Sequence, residues 1–284
     1  MSKFIRSDLF FLHQFGFSSK LLEKIYLQNL DPIKIIFNKN SANNNLKELF
    51  TEKDLNLSTK YNEYNNFKKN LYFKDDFFKN KKQNKIYFKY DENAITSLIP
   101  SNIMPLFLYA KGDISLLSKK HKRVAIIGTR EPTENSINIT EKVTRKFIDD
   151  EYIIVSGLAN GIDSISHRTT INHQGKTIAV LPTNFHNIYP KNNKRLFLDI
   201  LEKGLALTSI GPNENTYKSS FLDRNKYIAN ICDIIVVIET NLKSGTMNTI
   251  KNASQANKKI LFIDQKDATI NNKLYGFGGE MLYE

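Results

Sequence analysis

Two patterns of apolar spacing divide this chain of 284 residues. Up to about residue 110, apolar positions recur at helical intervals. Leu9, Leu12 and Phe15, and then Leu21, Leu22, Ile25 and Tyr26, predict two short amphipathic helices. Pro32 marks the start of a third, because proline fits the first helical turn. Residues 38–45, rich in Asn, predict a polar, turn-prone loop. Between 61 and 90, Tyr and Phe alternate with Lys and Asn. There Tyr87, Phe88 and Tyr90 fit either a strand or the packing face of a helix. Packing of a small helical core is favoured over base stacking for these aromatics.

From Arg123 onward the spacing changes. Continuous apolar runs appear at Val124–Ile127, Tyr152–Val155, Thr177–Leu181, Leu205–Thr208, Ile234–Ile238 and Ile260–Ile263. Helix-length segments separate them, and Glu134–Asp149 sets Ile137, Val143 and Phe147 on one helical face. Runs without in/out alternation, spaced by helices, predict a parallel sheet covered on both faces. The expected fold class is therefore α/β, a doubly wound domain of about six strands behind a smaller helical one.

Composition narrows the partners. Forty-one Lys and Arg against 29 Asp and Glu give a formal charge of +12, which favours a polyanion. An AT-rich genome that inflates Lys and Asn accounts for that excess equally well. A single cysteine excludes an internal disulfide framework and points to a reducing compartment. Cys232, just ahead of an apolar run, reads as a small buried hydrophobe. The opening Met-Ser-Lys-Phe-Ile-Arg lacks the apolar stretch of a signal peptide, and no apolar run is long enough to span a bilayer. The expected location is cytoplasmic, with no membrane contact.

Ligands of open parallel sheets sit at the carboxyl ends of the strands. Here those ends read Gly128-Thr129-Arg130, Ser156-Gly157-Leu158-Ala159, Pro182 and, through Glu239, Lys243-Ser244-Gly245-Thr246. A strand that stops in Gly and hands over to a helix offers backbone N–H groups to phosphate, and Arg130 adds a planar, permanently charged fork. Lys191, Lys194 and Arg195 open the helix after Tyr189-Pro190, against the macrodipole. Arg224-Asn225-Lys226 reads as the start of another helix, with Asn225 either meeting a ligand or fixing the loop through backbone. Lys243 stands over the same pocket. Ser156, Gly157, Gly161 and Asp163 read as turn builders, Asp163 capping or orienting His167, which is expected to bond within the Ser-Gly-Leu-Ala loop. The five histidines show no metal-ligand spacing, and nucleophile-elbow, dinucleotide and Walker patterns are missing. The expectation is no metal, no cofactor and no catalytic residue.

The run Ser156-Gly157-Leu158-Ala159-Asn160-Gly161-Ile162-Asp163, with His167 downstream, resembles the DNA-processing protein A (DprA/Smf) family. That family's further motifs find counterparts in Gly128-Thr129-Arg130, Tyr189-Pro190-Lys191, Phe221-Leu222-Asp223-Arg224-Asn225-Lys226 and Ser244-Gly245-Thr246, in the same order. The run-in Pro105–Gly112 fits as well. Departures are Leu222 for a proline, Lys226 for an arginine, Thr208-Ser209 for Ser-Glu and Asp264-Gln265 for Pro-Gly.

The resemblance implies a helical domain of the sterile-alpha-motif type over 1–85 and an extended Rossmann fold over 86–284, without the winged helix of some members. It implies a single-stranded DNA-binding protein of natural transformation that protects incoming strands and loads the recombinase RecA. A homodimer through the Rossmann domain and no enzymatic activity are also implied. Gly128, Arg130, Lys191, Lys194, Arg224, Asn225, Lys226, Lys243, Ser244 and Gly245 become expected DNA contacts. Ser156, Gly157, Gly161, Asp163, His167, Tyr189 and Pro190 become the structural motif. The alternative is a Rossmann enzyme or sensor for small nucleotides, resembling nucleoside-monophosphate phosphoribohydrolases. Lys243–Thr249 lacks the glycine run and trailing glutamate of that loop.

Overall fold

The computed structural model describes residues 3–38, 41–74 and 84–283. The chain forms two compact units, one of residues 1–82 with 211–214 and the other of 83–210 with 215–284.

The first unit is helical: α1 Lys3–Phe15, α2 Ser19–Leu27, α3 Pro32–Phe37, α4 Asn44–Lys47, α5 Glu52–Leu57 and α6 Tyr61–Lys74. The predicted apolar positions Leu9, Leu12, Leu21, Leu22 and Ile25 are all buried. Pro32 opens α3 behind an Asp31 cap whose carboxylate accepts the Lys34 N–H at 3.0 Å. The predicted 38–45 loop is cut short, because Asn43 caps α4; residues 39–40 lie outside the described residues. Tyr64 on α6 packs edge-on against Phe15 at 5.5 Å and meets Phe37 at 5.1 Å, so this aromatic builds the helical core.

The second unit is a sheet of nine strands: β1 Asn84–Phe88, β2 Phe107–Gly112, β3 Arg123–Ile127, β4 Ile153–Ser156, β5 Thr177–Leu181, β6 Leu205–Thr208, β7 Ile234–Val237, β8 Lys259–Phe262 and β9 Gly279–Met281. All six predicted runs are strands. Tyr87 and Phe88 lie buried in β1. The order is β1-β2-β6-β5-β4-β3-β7-β8-β9, with β2 antiparallel to β1 and β6 and every other neighbour parallel. The chain runs outward from β3 to β6, then returns to the other side of β3 as β7. The switch point of this doubly wound sheet therefore lies between β3 and β7.

Six helices cover it: α7 Glu134–Asp149, α8 Ile162–Asn172, α9 Lys194–Lys203, α10 Lys218–Ile231, α11 Gly245–Gln255 and α12 Ala268–Gly276. Val124 and Ile126 of β3 pack with Ile139, Val143 and Phe147 of α7 on one face. Ala125 and Ile127 pack with Ile228 of α10, Ile250 of α11 and Leu274 of α12 on the other. Burial on both faces is why these strands read as unbroken apolar runs. The α7 stripe differs from expectation at one position: Ile139, Val143 and Phe147 are buried, while Ile137 is half-buried. Spacings of four keep the first three on one side, and Ile137 falls off that row. Among the described residues no helix is long and apolar enough to cross a membrane.

Arg123 ties the lower end of the sheet. Its side chain is 2 % exposed, and it donates from Nε to the Ile231 carbonyl at 2.8 Å and from Nη1 to the Leu116 and Ser118 carbonyls at 3.1 and 3.0 Å. Arg123→Met strands those carbonyls in the interior. Chemical denaturation is expected to show a loss of about 3 kcal/mol or more. Arg145→Met, which breaks only a surface pair with Glu141, stays within about 0.5 kcal/mol of wild type.

Candidate nucleic-acid interface

At the switch point, beyond the carboxyl end of β3, lies a cleft of about 300 Å³. It is lined by Gly128, Thr129 and Arg130 and by Ser244, Gly245 and Thr246 at the start of α11. Phe221, Leu222, Arg224 and Asn225 of α10 line it as well. A smaller hollow of about 30 Å³ adjoins it, sharing Arg130, Ala159, Phe221 and Arg224 and reaching Tyr189 and Pro190.

The Arg130 turn is fixed from several directions. Thr129 donates its N–H to the Glu239 carbonyl at 2.7 Å, and its own carbonyl accepts from Ile162 at 3.2 Å. Thr246 Oγ1 donates to the Gly128 carbonyl at 3.0 Å. A Cβ on Gly128 would strike Ile162 and the Glu239 carbonyl. Gly161 has φ +74° and lies so close to the Thr129–Arg130 backbone that only glycine fits. The backbone is thus held while the Arg130 side chain stays exposed.

Arg224 sits differently from its expected place. The helix α10 starts at Lys218, not at Arg224, because Tyr217 and Ser220 close its first turn: Tyr217 N–H donates to Ser220 Oγ at 3.1 Å. Arg224 and Asn225 therefore lie in the middle of the helix, both buried. The Arg224 guanidinium lies against Gly157, where any Cβ would collide with it, and Asp163 Oδ2 stands 3.6 Å from Nη1. Burial pushes the Arg224 pKa down and Asp163 draws it back up, while the neighbouring Arg130 cation lowers it further. Asp163 also accepts the N–H groups of Gly157 and Ala159 at 3.1 and 3.4 Å, so it builds the turn.

His167 meets the Ser156 backbone, within the Ser-Gly-Leu-Ala loop as expected, and makes a second, short contact outside it. Its Nδ1 lies 2.7 Å from Thr177 Oγ1 on β5. That hydroxyl donates to the Ile154 carbonyl at 2.8 Å, which leaves it to accept from Nδ1–H. Burial pushes the His167 pKa down to about 3, against the Ser156 backbone that raises it and with the Arg224 cation lowering it.

Other expected contacts are structural or lie outside the cleft. Asn225 Nδ2 donates to the Gly245 carbonyl at 3.2 Å, which fixes the loop. Ser244 Oγ caps α11 by accepting the Met247 N–H at 3.3 Å and lies 2.7 Å from Thr240 Oγ1. Ser156 Oγ donates to the Ile126 carbonyl at 2.8 Å. Lys226 does not reach the cleft; it pairs with Asp223 at 2.8 Å. Lys191, Lys194 and Lys243 are exposed, and none of them lines the cleft or its hollow. Arg195, expected at the same helix start, pairs with Asp199 at 2.9 Å.

The Tyr189-Pro190 segment, joined by a cis bond, is tied to the Ser-Gly-Leu-Ala turn nearby. Asn193 Nδ2 donates to the Leu158 carbonyl at 3.0 Å and Asn192 Nδ2 to Asn160 Oδ1 at 3.1 Å. At the rim the Tyr189 and Phe221 rings meet edge-on at 5.7 Å, with Tyr189 48 % exposed. Sequence spacing offered no sign of this ring pair, because Tyr189 comes from a loop and Phe221 from the first turns of α10.

A doubly wound parallel sheet with two guanidinium groups and a helix N-terminus at its switch point defines an α/β protein with an anion-receiving crevice. The sequence profile of DNA recombination-mediator protein A matches residues 87–276, and the chain belongs to that family. It is 37 % identical over 159 residues to DNA processing protein DprA of Streptococcus pneumoniae and 33 % over 159 residues to that of Bacillus subtilis. These alignments take in 56 % of this chain in both cases, and 55 % and 53 % of the relatives, so the match spans about half the length of each curated relative. Among solved structures, DprA of S. pneumoniae superposes with a TM-score of 0.68 at 26 % identity, covering 98 % of this chain and 94 % of that one. DNA processing protein A of Helicobacter pylori, described for its single-stranded DNA binding mode, superposes with a TM-score of 0.61 at 28 % identity, covering 71 % and 92 %.

Two outcomes test this geometry. Gly157→Ala drives a methyl into the Arg224 guanidinium, and a loss of about 2 kcal/mol is expected by chemical denaturation. At Gly245 the nearest atom to a new Cβ is 4.0 Å away, so Gly245→Ala stays within about 0.5 kcal/mol. The His167 pKa is lowered on folding, so the unfolded chain takes up the proton first as the pH drops. Stability is full above about pH 6.5 and falls by about 1.4 kcal/mol per unit on acidification below it. His167→Asn removes that component of the slope in urea titrations at stepped pH.

Proposed function

We propose that this protein binds single-stranded DNA, with a phosphate of the strand in the switch-point cleft and bases against the Tyr189–Phe221 rim. The observation that carries the reading is that Arg130 and Arg224 line one crevice together with the N-terminal turn of α11. A single strand needs backbone donors, cations and a planar surface for bases, and the cleft and rim supply all three. The half-exposed Tyr189 ring at the rim offers a planar surface for stacking without sequence preference.

Family membership extends the reading. The relatives' DNA-processing role and the H. pylori protein's single-stranded DNA binding support a part in natural transformation: strand protection, then loading of RecA, by a cytoplasmic homodimer joined through the α/β unit. The helical and α/β parts are read as two domains dividing near residue 85. A binding role is favoured over catalysis by the carboxylate in the cleft. Asp163 is engaged by two backbone N–H groups and a guanidinium, which leaves it poorly placed to accept a substrate proton.

Arg130→Ala is expected to weaken oligo(dT) and mixed-sequence binding alike, by about tenfold, and to flatten the log K against log salt slope by about 0.7 for each phosphate no longer neutralised. Anisotropy titrations across a salt series measure both quantities. Unchanged affinity and slope would place the DNA elsewhere.

A further inference from the structure

We infer that the switch-point cleft is a nucleotide pocket for a terminal phosphate monoester: a nucleoside 5′-monophosphate, free or as the 5′ end of a strand. This rests on the reading of the cleft as the DNA-facing site, and it names the form of phosphate received there.

Three observations lead to it. The first is donor supply. Arg224 is 8 % exposed, yet its Nε has no hydrogen-bond partner, and its carboxylate neighbour stands off at 3.6 Å. That Nε is itself sealed, but the nearest acceptor to Nη1 is a carboxylate 3.6 Å away and the residue lines the cleft, so the guanidinium keeps donor capacity for a bound anion.

The second is charge. Arg130 and Arg224 bring two positive charges and Asp163 one negative, and the α11 N-terminus adds about half a charge. About one and a half positive charges remain. A phosphodiester, with one negative charge, leaves part of this unmatched. A phosphate monoester carries about −1.5 to −2 at neutral pH and matches it.

The third is size. A cleft of about 300 Å³ holds roughly ten waters' worth of space and lies at the lower end of small-molecule pockets. One phosphate does not fill it. The walls beyond the arginines are those a nucleoside needs, with Phe221 and Leu222 apolar and Asn241 and Thr249 polar. Phosphate against the arginines and the first turn of α11, with sugar and base among Phe221, Leu222, Asn241 and Thr249, uses every wall.

The test uses the full chain and two short oligo(dT) probes carrying a 3′ fluorophore, one with a 5′ phosphate and one with a 5′ hydroxyl. Anisotropy is expected to show the phosphorylated probe bound about tenfold or more tightly. Free dTMP displaces it, while thymidine and inorganic phosphate are each at least about tenfold weaker competitors. Displacement by dTMP without a preference between the probes upholds the free nucleotide as the source; preference with displacement upholds both. Equal binding of the two probes, with dTMP no better than thymidine, overturns this inference and leaves single-strand binding standing. Inorganic phosphate competing as well as dTMP also overturns it, since the pocket then reads only an anion. No binding of either probe defeats the single-strand reading itself.

Discussion

The cleft depends on one packing constraint: the Arg224 guanidinium must lie on Gly157, against Asp163. A buried ion pair is a poor source of stability, because desolvating two charges costs several kcal/mol and their attraction returns little more. At 3.6 Å, without a short hydrogen bond, this pair returns less than most. Its cost is offset by what surrounds it. Asp163 also holds the Gly157 and Ala159 N–H groups, so the same carboxylate shapes the turn that makes room for the guanidinium. Gly157 provides that room by lacking a side chain. A cation kept at the floor of a crevice at this cost is better explained by a ligand than by folding.

The α/β architecture was legible because two-sided burial leaves an unmistakable trace. Strands covered by helices on both faces cannot alternate, so β3 to β8 appear as apolar runs with helix-length gaps. β1 and β9 leave no such trace. β9 is Gly-Glu-Met at the sheet edge, too short for any period, and β1 sits in a stretch where Tyr and Phe alternate with Lys and Asn. β2 was visible as the apolar run-in Phe107–Ala110, but nothing local says that it lies antiparallel to β6. That pairing is decided by long-range packing, beyond the reach of periodicity.

The candidate site was half legible. Glycines and hydroxyls at strand ends marked the right turns, and Gly128, Arg130, Ser244 and Gly245 do converge. The cations were harder to sort. Arg224 and Lys226 are two apart on α10, about 200° around the helix axis, so they cannot both face one cleft. The expected start at Arg224 hid this, since residues of a first turn can still splay from a loop. The start itself was obscure because Tyr217 is an unusual residue at a helix N-terminus, where Ser, Thr, Asp or Asn are the common signals. Exposed lysines near motifs are harder to place for a related reason: proximity in sequence says little about which side of a turn a flexible stem leaves from.

What the buried groups exclude bears on mechanism. The imidazole of His167 lies beneath the turn that carries Gly157, and burial keeps it neutral across the ordinary range of pH. The two guanidinium groups of the cleft do not lose their charge in that range either. The cleft is therefore built around a nearly constant positive charge, with its cations fixed in place before a ligand arrives. Preorganisation of this kind lowers the cost of ordering on binding. A catalytic crevice of the same shape would need a group poised to gain or lose a proton near neutral pH. Here Asp163 is engaged by the turn and His167 is sealed from the cleft, so neither is placed for that task.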